Sequence, residues 1–273
     1  MSIRSLETCR ALYALPHDDL VGEVLVPAFR GAQSIDCMMG FFSSSAFPNL
    51  APGLAAFLNR QAGNLRLLVS PVISELDQAA MQESLEHPGS VLARAASRLF
   101  VEADLSEDAL IRHQYDCLAY MLASGRLEIR FAWVANGIFH PKVWLFEDGV
   151  DHAVAHGSSN LTNKGLMGNF ETVTLERAWR GSEQAERCEA FRRMFAQLWE
   201  GRAKETVVVS LPDAVREQLL KRAAVSEVPT LDEFLRLHRR EGLGRTARAG
   251  VSPPGRHTAR DRPRQSQRGR ADA

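Results

Sequence analysis

The chain has no uninterrupted apolar stretch near the roughly eighteen residues that a membrane-spanning helix needs, so a membrane protein is not expected. It has only four cysteines, Cys9, Cys37, Cys117 and Cys188, scattered without metal-ligand spacing. That argues against a structural zinc or a disulfide framework and reads as reduced, mostly buried thiols in a cytoplasmic protein. The N-terminus carries Glu7, Asp18, Asp19 and Glu23 and lacks the basic-then-apolar pattern of a secretion signal. There is no internal repeat. Lysine is also scarce: Lys142, Lys164, Lys204 and Lys221 are the only four among 33 basic residues. Net charge is zero, but from Gly242 onward eight Arg stand against Asp261 and Asp272, a local +6 that leaves −6 on the remainder.

What is present is an ordinary globular composition, 45% hydrophobic and 24% charged, in 273 residues. That length suits one large domain or two small ones. Apolar spacing predicts a helix over 20–32, interrupted by Pro27, then a buried strand Ile35–Phe42 closed by Ser43-Ser44-Ser45. A short helix over 54–60 and a strand Leu65–Val69 follow, the strand stopped by Ser70-Pro71. Helical patterns occupy 74–99 and 106–124. Residues 127–133 alternate with period two, and an Asn136-Gly137 turn leads into a strand over 140–147. Strands at 153–156 and 170–175 and a helix at 184–199 complete the pattern. The order predicts an α/β fold with a mixed β-sheet flanked by helices on both faces. The expected division is a catalytic domain over 1–205, a helical extension over 206–241 with helices near 211–223 and 230–240, and a disordered Arg-rich tail over 242–273.

Two short motifs carry the chemistry. His140-Pro141-Lys142 precedes the apolar run Val143-Trp144-Leu145-Phe146, and Gly157-Ser158-Ser159-Asn160 follows. Strand periodicity turns His140 and Lys142 to one face, at the end of a buried strand where a cleft can open. A nucleophilic nitrogen, an ammonium, a hydroxyl and an amide converging there would suit a phosphate diester. Neutral imidazole is a competent nucleophile near pH 7. Lys142 and Asn160 would hold the non-bridging oxygens, with Ser158 beside them. Glu171 could accept from the second nitrogen of His140 and set its tautomer. Trp133, Trp144 and Phe146 read as core, as does His156, although His156 could also approach the site.

His140-x-Lys142, Gly157-Ser158-x-Asn160 and Glu171 together resemble the signature of the phospholipase D superfamily. The likeness extends to Gly40-Phe41-Phe42-Ser43, Ser159-Asn160-Leu161-Thr162 with Gly165, Asn169-Phe170-Glu171 and Phe195-x-x-Leu198-Trp199, over roughly residues 5–205. It is similar above all to the phospholipase D-like nuclease domains of some restriction endonucleases and bacterial helicases. The resemblance implies a phospholipase D-like α/β sandwich and a phosphodiester hydrolase that needs neither metal nor cofactor. One histidine forms a phosphohistidine while a second, protonated, frees the leaving oxygen. It implies His140, Lys142 and Glu171 as catalytic, Lys142, Ser158 and Asn160 as phosphate-binding, and Glu147, Gly157 and Ser159 as supporting. Glu147 stands where the family more often has Asp, with Asp148 beside it. The chain holds one histidine–lysine pair, and single-motif members complete the site across a homodimer. DNA is the implied substrate, restriction or defence the implied setting, and a helicase a candidate partner. Two alternatives stay open: a non-catalytic DNA-binding or dimerisation module left from a helicase-associated domain, and a phospholipid phosphodiesterase or phosphatidyltransferase. The tail could bind DNA backbone or be an out-of-frame remnant.

Overall fold

The computed structural model describes residues 2–40, 47–58, 63–70, 87, 89–95, 97, 109–134, 137–225 and 236. Phe41, Phe42, the Ser43–Ser45 stop, Pro71, much of the helical pattern at 74–99, Asn136, the second C-terminal helix apart from residue 236, and the Arg-rich tail lie outside the described residues.

Eight strands form one sheet: β1 (Leu12–Leu15), β2 (Ser34–Met39), β3 (Leu65–Val69), β4 (Leu127–Val134), β5 (Lys142–Glu147), β6 (His152–Gly157), β7 (Glu171–Arg177) and β8 (Thr206–Ser210). Their spatial order is β1-β7-β6-β5-β2-β3-β4-β8. β2, β3 and β4 are parallel, and every other neighbouring pair is antiparallel. The chain is therefore α/β with a mixed sheet. The parallel centre explains why β2 and β3 are mostly apolar on both faces, Asp36 and Arg66 being the charged exceptions.

Helices cover both faces. On one side α1 (Val26–Gly31), α2 (Phe47–Leu58), α3 (Ala109–Ala123) and α6 (Asp213–Val225) enclose the larger core. That core takes Ile35, Cys37 and Met39 from β2, Leu65, Leu67 and Val69 from β3, and Trp144 and Phe146 from β5. Phe29 of α1 meets the rings of Trp144 and Phe146 edge-on at 5.6 and 6.0 Å. On the other side α5 (Ser182–Trp199) packs Cys188, Phe195 and Trp199 against Met38, Leu68, Val143, Leu145 and Val154. Two cations seal this thinner layer. Arg66, paired with Asp36 at 2.6 Å, lies over Phe195 and Trp199, and Arg130 lies over Trp199 at 4.3 Å. The arginines cover aromatic faces that one helix cannot hide.

The stretch expected as a helical extension is not separate from the sheet. β8 pairs with β4, and Leu211, Val215 and Leu219 enter the larger core. Three consecutive valines, Val207–Val209, make a strand of that stretch because β4 offers it a free edge. β1 and the short helix α4 (Asn163–Met167) are two further elements that the periodicity did not predict.

Candidate active site

The active-site candidates gather at one end of the sheet, where β2 and β6 finish and β5 and β7 begin. Register fixes this: Met39 lies opposite Lys142, Val143 opposite His156, and Gly157 opposite Val173. One step beyond the Val143 pair, Lys142 faces Gly157, so Lys142, Gly157 and Val173 form a row across three strands. His140 sits just before β5, exposed, whereas Lys142 is only 8% exposed. Trp144 and Phe146 carry the same face into the core with their rings stacked at 6.2 Å. The alternation read from the sequence therefore holds along this strand.

The lysine's Nζ donates to the carbonyl oxygen of His140 at 3.0 Å. An ammonium has three donors, and the other two have no acceptor among the described residues. Burial pushes the Lys142 pKa down, while the Glu171 carboxylate opposes that shift. Burial and the charge of Lys142 both hold His140 below its ordinary value, which keeps the imidazole neutral near pH 7. Gly40 makes room for the histidine. Its N–H donates to Pro141 O at 2.8 Å, and a Cβ there would lie 2.5 Å from His140 Cδ2 and 2.8 Å from His140 Cα.

The loop leaving β6 is built from side-chain bonds. Ser158 N–H donates to Thr172 O at 2.9 Å, but Thr172 N–H returns to Ser158 Oγ at 3.0 Å instead of to a carbonyl. The hydroxyl thus replaces half of a ladder pair, and the chain leaves the sheet while the serine keeps its own proton to donate. Regular alternation would turn Ser158 to the face of His156, away from Lys142; the ladder ends here, so that rule stops applying. Gly157 is obligatory beside it, because an added Cβ would lie 1.9 Å from Thr172 O. Buried Ser159 donates to Gly165 O at 2.7 Å, and Thr162 caps α4 by accepting from Gly165 N–H. Gly165 packs on the Asn160 backbone, where a Cβ would meet Asn160 O at 2.5 Å. Asn160, half-buried, is therefore fixed at its backbone on both sides.

Glu171 opens β7, half-buried, and accepts from Asn169 Nδ2 at 3.1 Å. The structure thus brings His140, Lys142 and Glu171 into one electrostatic cluster and sets Ser158 and Asn160 on the loop at the same end of the sheet. Glu147 does not join them. It lies five residues beyond Lys142, roughly 16 Å away at about 3.3 Å per residue, and pairs with Arg192 at 3.4 Å. The heavier support falls to Asp148, which accepts from Ser2 Oγ and from the backbone N–H groups of Ile3, Val150 and Asp151. Burial pushes its carboxyl up, but these bonds together outweigh it and hold the pKa below the ordinary value. His156 faces α5, with its ring 4.7 Å from Phe191 and its Nε2 3.9 Å from Glu176 Oε1, and takes no part in the cluster. Among the described residues no group of three or more His, Cys, Asp or Glu is arranged to hold a metal ion.

No family model matches the chain, and no curated protein matches it. Among solved structures it is similar to Nuc, a phospholipase D family member from Salmonella typhimurium, at 18% identity and TM-score 0.41, over 72% of this chain and 95% of that one. It is similar to NucT from Helicobacter pylori at 13% identity and TM-score 0.40, over 69% and 94%. It is also similar to phosphatidylserine synthase from Haemophilus influenzae Rd KW20 at 16% identity and TM-score 0.39, over 75% and 42%.

Sequence reasoning missed the rim of this site. Phe170, one residue before Glu171, is 73% exposed, and Ile138, two before His140, is 71% exposed. The Phe170 ring meets His17 at 6.5 Å and 70°. The signal in the sequence was faint: a large apolar residue directly before a site residue, with nothing to show it was uncovered. His17 arrives through β1, whose Leu15 pairs with Glu171.

Proposed function

We propose that the chain is a phospholipase D-like phosphodiesterase that hydrolyses DNA through a phosphohistidine, at a site completed across a homodimer. The observation that carries this reading is the cluster at the start of β5: an exposed imidazole held neutral directly beside a buried ammonium with donors to spare. A neutral imidazole can attack phosphorus, and the ammonium can hold the oxygens on which negative charge accumulates.

In the first step a nitrogen of His140 bonds to phosphorus while the bond to the leaving oxygen breaks. That oxygen takes its proton from the second copy of His140. In the second step water attacks phosphorus, gives a proton to the now neutral partner histidine, and the P–N bond breaks. Lys142, Asn160 and the Ser158 hydroxyl donate to the non-bridging oxygens throughout, and Glu171 keeps the charge of Lys142 in place. Because one histidine must start neutral and the other protonated, the rate should be bell-shaped in pH.

The test is hydrolysis of bis(p-nitrophenyl) phosphate and of plasmid DNA in excess EDTA. Activity that persists in EDTA and disappears in His140→Ala supports the reading. Unchanged activity in that variant overturns the mechanism, and activity abolished by EDTA overturns its independence of metal. Turnover of a phospholipid diester with none of DNA would move the chain to a lipid substrate.

A further inference from the structure

Seven large apolar side chains are well exposed among the described residues: Leu12, Ile138, Val150, Met167, Phe170, Met194 and Leu220. Single exposed apolar residues are ordinary on a protein surface. Three of the seven lie on segments that carry site residues. Ile138 lies on the segment that delivers His140, and Met167 and Phe170 lie on the segment that delivers Glu171. Phe170 adjoins Glu171 in the chain, so their Cα atoms are about 3.8 Å apart.

The ring of Phe170 is supported as well as exposed. His17 meets it at a centroid distance of 6.5 Å with the planes 70° apart, an edge-on contact. With 73% of the residue open to solvent, most of the ring remains available for a further contact. An exposed aromatic ring with one edge contact, next in the chain to a residue of the candidate phosphate site, has the form of a stacking platform. Bases offer flat faces close to every backbone phosphate, and stacking one on an aromatic ring contributes about 1–3 kcal/mol. In a duplex those faces are already occupied by neighbouring bases, so a platform of this kind selects unpaired nucleotides.

We propose that Phe170, propped by His17, stacks an unpaired nucleobase next to the phosphate held by His140 and Lys142, so that single-stranded nucleic acid is the preferred substrate. The proposal rests on the reading of this site as a phosphodiester site and adds the class of strand that enters it.

The test uses the full chain carrying His140→Ala, which binds without turnover, and a fluorescent oligothymidylate, free or paired with oligodeoxyadenylate. The single strand should bind more tightly than the duplex. Adding Phe170→Ala should weaken single-strand binding about 5- to 150-fold. Phe170→Leu keeps apolar bulk without a flat ring and should behave like the alanine variant, whereas Phe170→Trp should retain tight binding. A 2-aminopurine base in the strand should be quenched on binding when residue 170 is Phe or Trp, and not when it is Ala or Leu.

Equal affinity for all four proteins overturns the platform, as does a leucine variant that binds like phenylalanine. A Phe170→Ala chain with half the wild-type mass in light scattering also overturns it, because the ring is then covered by a second copy. The two readings fail differently. Hydrolysis indifferent to His140 removes the diester mechanism, whereas binding indifferent to Phe170 with the His140 dependence intact removes only the platform.

Discussion

Lys142 is one of four lysines among 33 basic residues, and its surroundings account for the choice. Arginine would bring a planar fork of five donors to a position that is 8% exposed and already turned back on the His140 carbonyl. A compact ammonium fits, and its charge acts on the neighbouring imidazole. Both burial and Lys142 disfavour imidazolium, so the folded pKa of His140 lies below its ordinary 6.5 and the neutral form prevails at pH 7. Removing the lysine's charge removes one of the two penalties. In Lys142→Met, the ring resonances of His140 followed by NMR against pH should titrate at a higher midpoint than in the wild type. An unchanged midpoint would assign the whole depression to burial. In the wild type, the acid limb of the pH–rate curve should accordingly fall below pH 6.5, where the attacking imidazole becomes protonated.

At the scale of elements, the site depends on how β6 ends. The Gly157–Ser158 exit is tight because the Thr172 carbonyl occupies the space a side chain would need. Gly157→Ala must push the β6 and β7 backbones apart, and overpacking of this kind costs about 1–3 kcal/mol. Gly137→Ala is the matched control, since a Cβ there meets nothing within 4 Å, and a surface change of that type stays within about 0.5 kcal/mol. Urea denaturation should show the midpoint falling in the first variant and not in the second; equal midpoints would mean that β7 yields freely. The element pattern was legible where apolar period or continuity was strong, as in β2, β3, β4 and α5. It failed where pairing rather than pattern makes the strand. β1 is four residues, Leu-Tyr-Ala-Leu, held by β7, and β8 is a valine run that reads as a strand only once β4 is beside it. α2 begins earlier than the helix expected at 54–60, because Pro52 inside it breaks the sequence signal. Motif spacing named His140, Lys142, Ser158, Asn160 and Glu171 as candidates, and they lie at one end of the sheet. It could not show that Ser158 carries a backbone bond, that Asn169 holds Glu171, or that Asp148 rather than Glu147 ties down the N-terminus. The first depends on register between strands and the third on a contact 145 residues apart in the chain, while the second is a local bond that spacing alone does not reveal.

At the scale of the whole molecule, the decisive quantity is the number of histidines in one site. Each chain supplies a single histidine–lysine pair, and His156, close in sequence to the second motif, is turned to the opposite face under α5. The proposed mechanism, with one neutral and one protonated imidazole, takes its second histidine from another copy of His140, which a two-fold axis through the β5 end of the sheet would supply. Light scattering should give twice the chain mass, but mass alone does not show a shared site. Mixing does. If wild-type chains are equilibrated with a fivefold excess of His140→Ala chains, random pairing leaves about one-sixth of wild-type chains with a wild-type partner. Activity per wild-type chain should fall to about that fraction, since a mixed dimer has one histidine where two are required. Independent sites predict no loss at all. The two outcomes differ about sixfold, provided the mixture is held long enough for subunits to exchange, which a labelled chain reports directly. Full activity retained in an exchanged mixture would place both proton transfers within one chain and remove the symmetry from the mechanism.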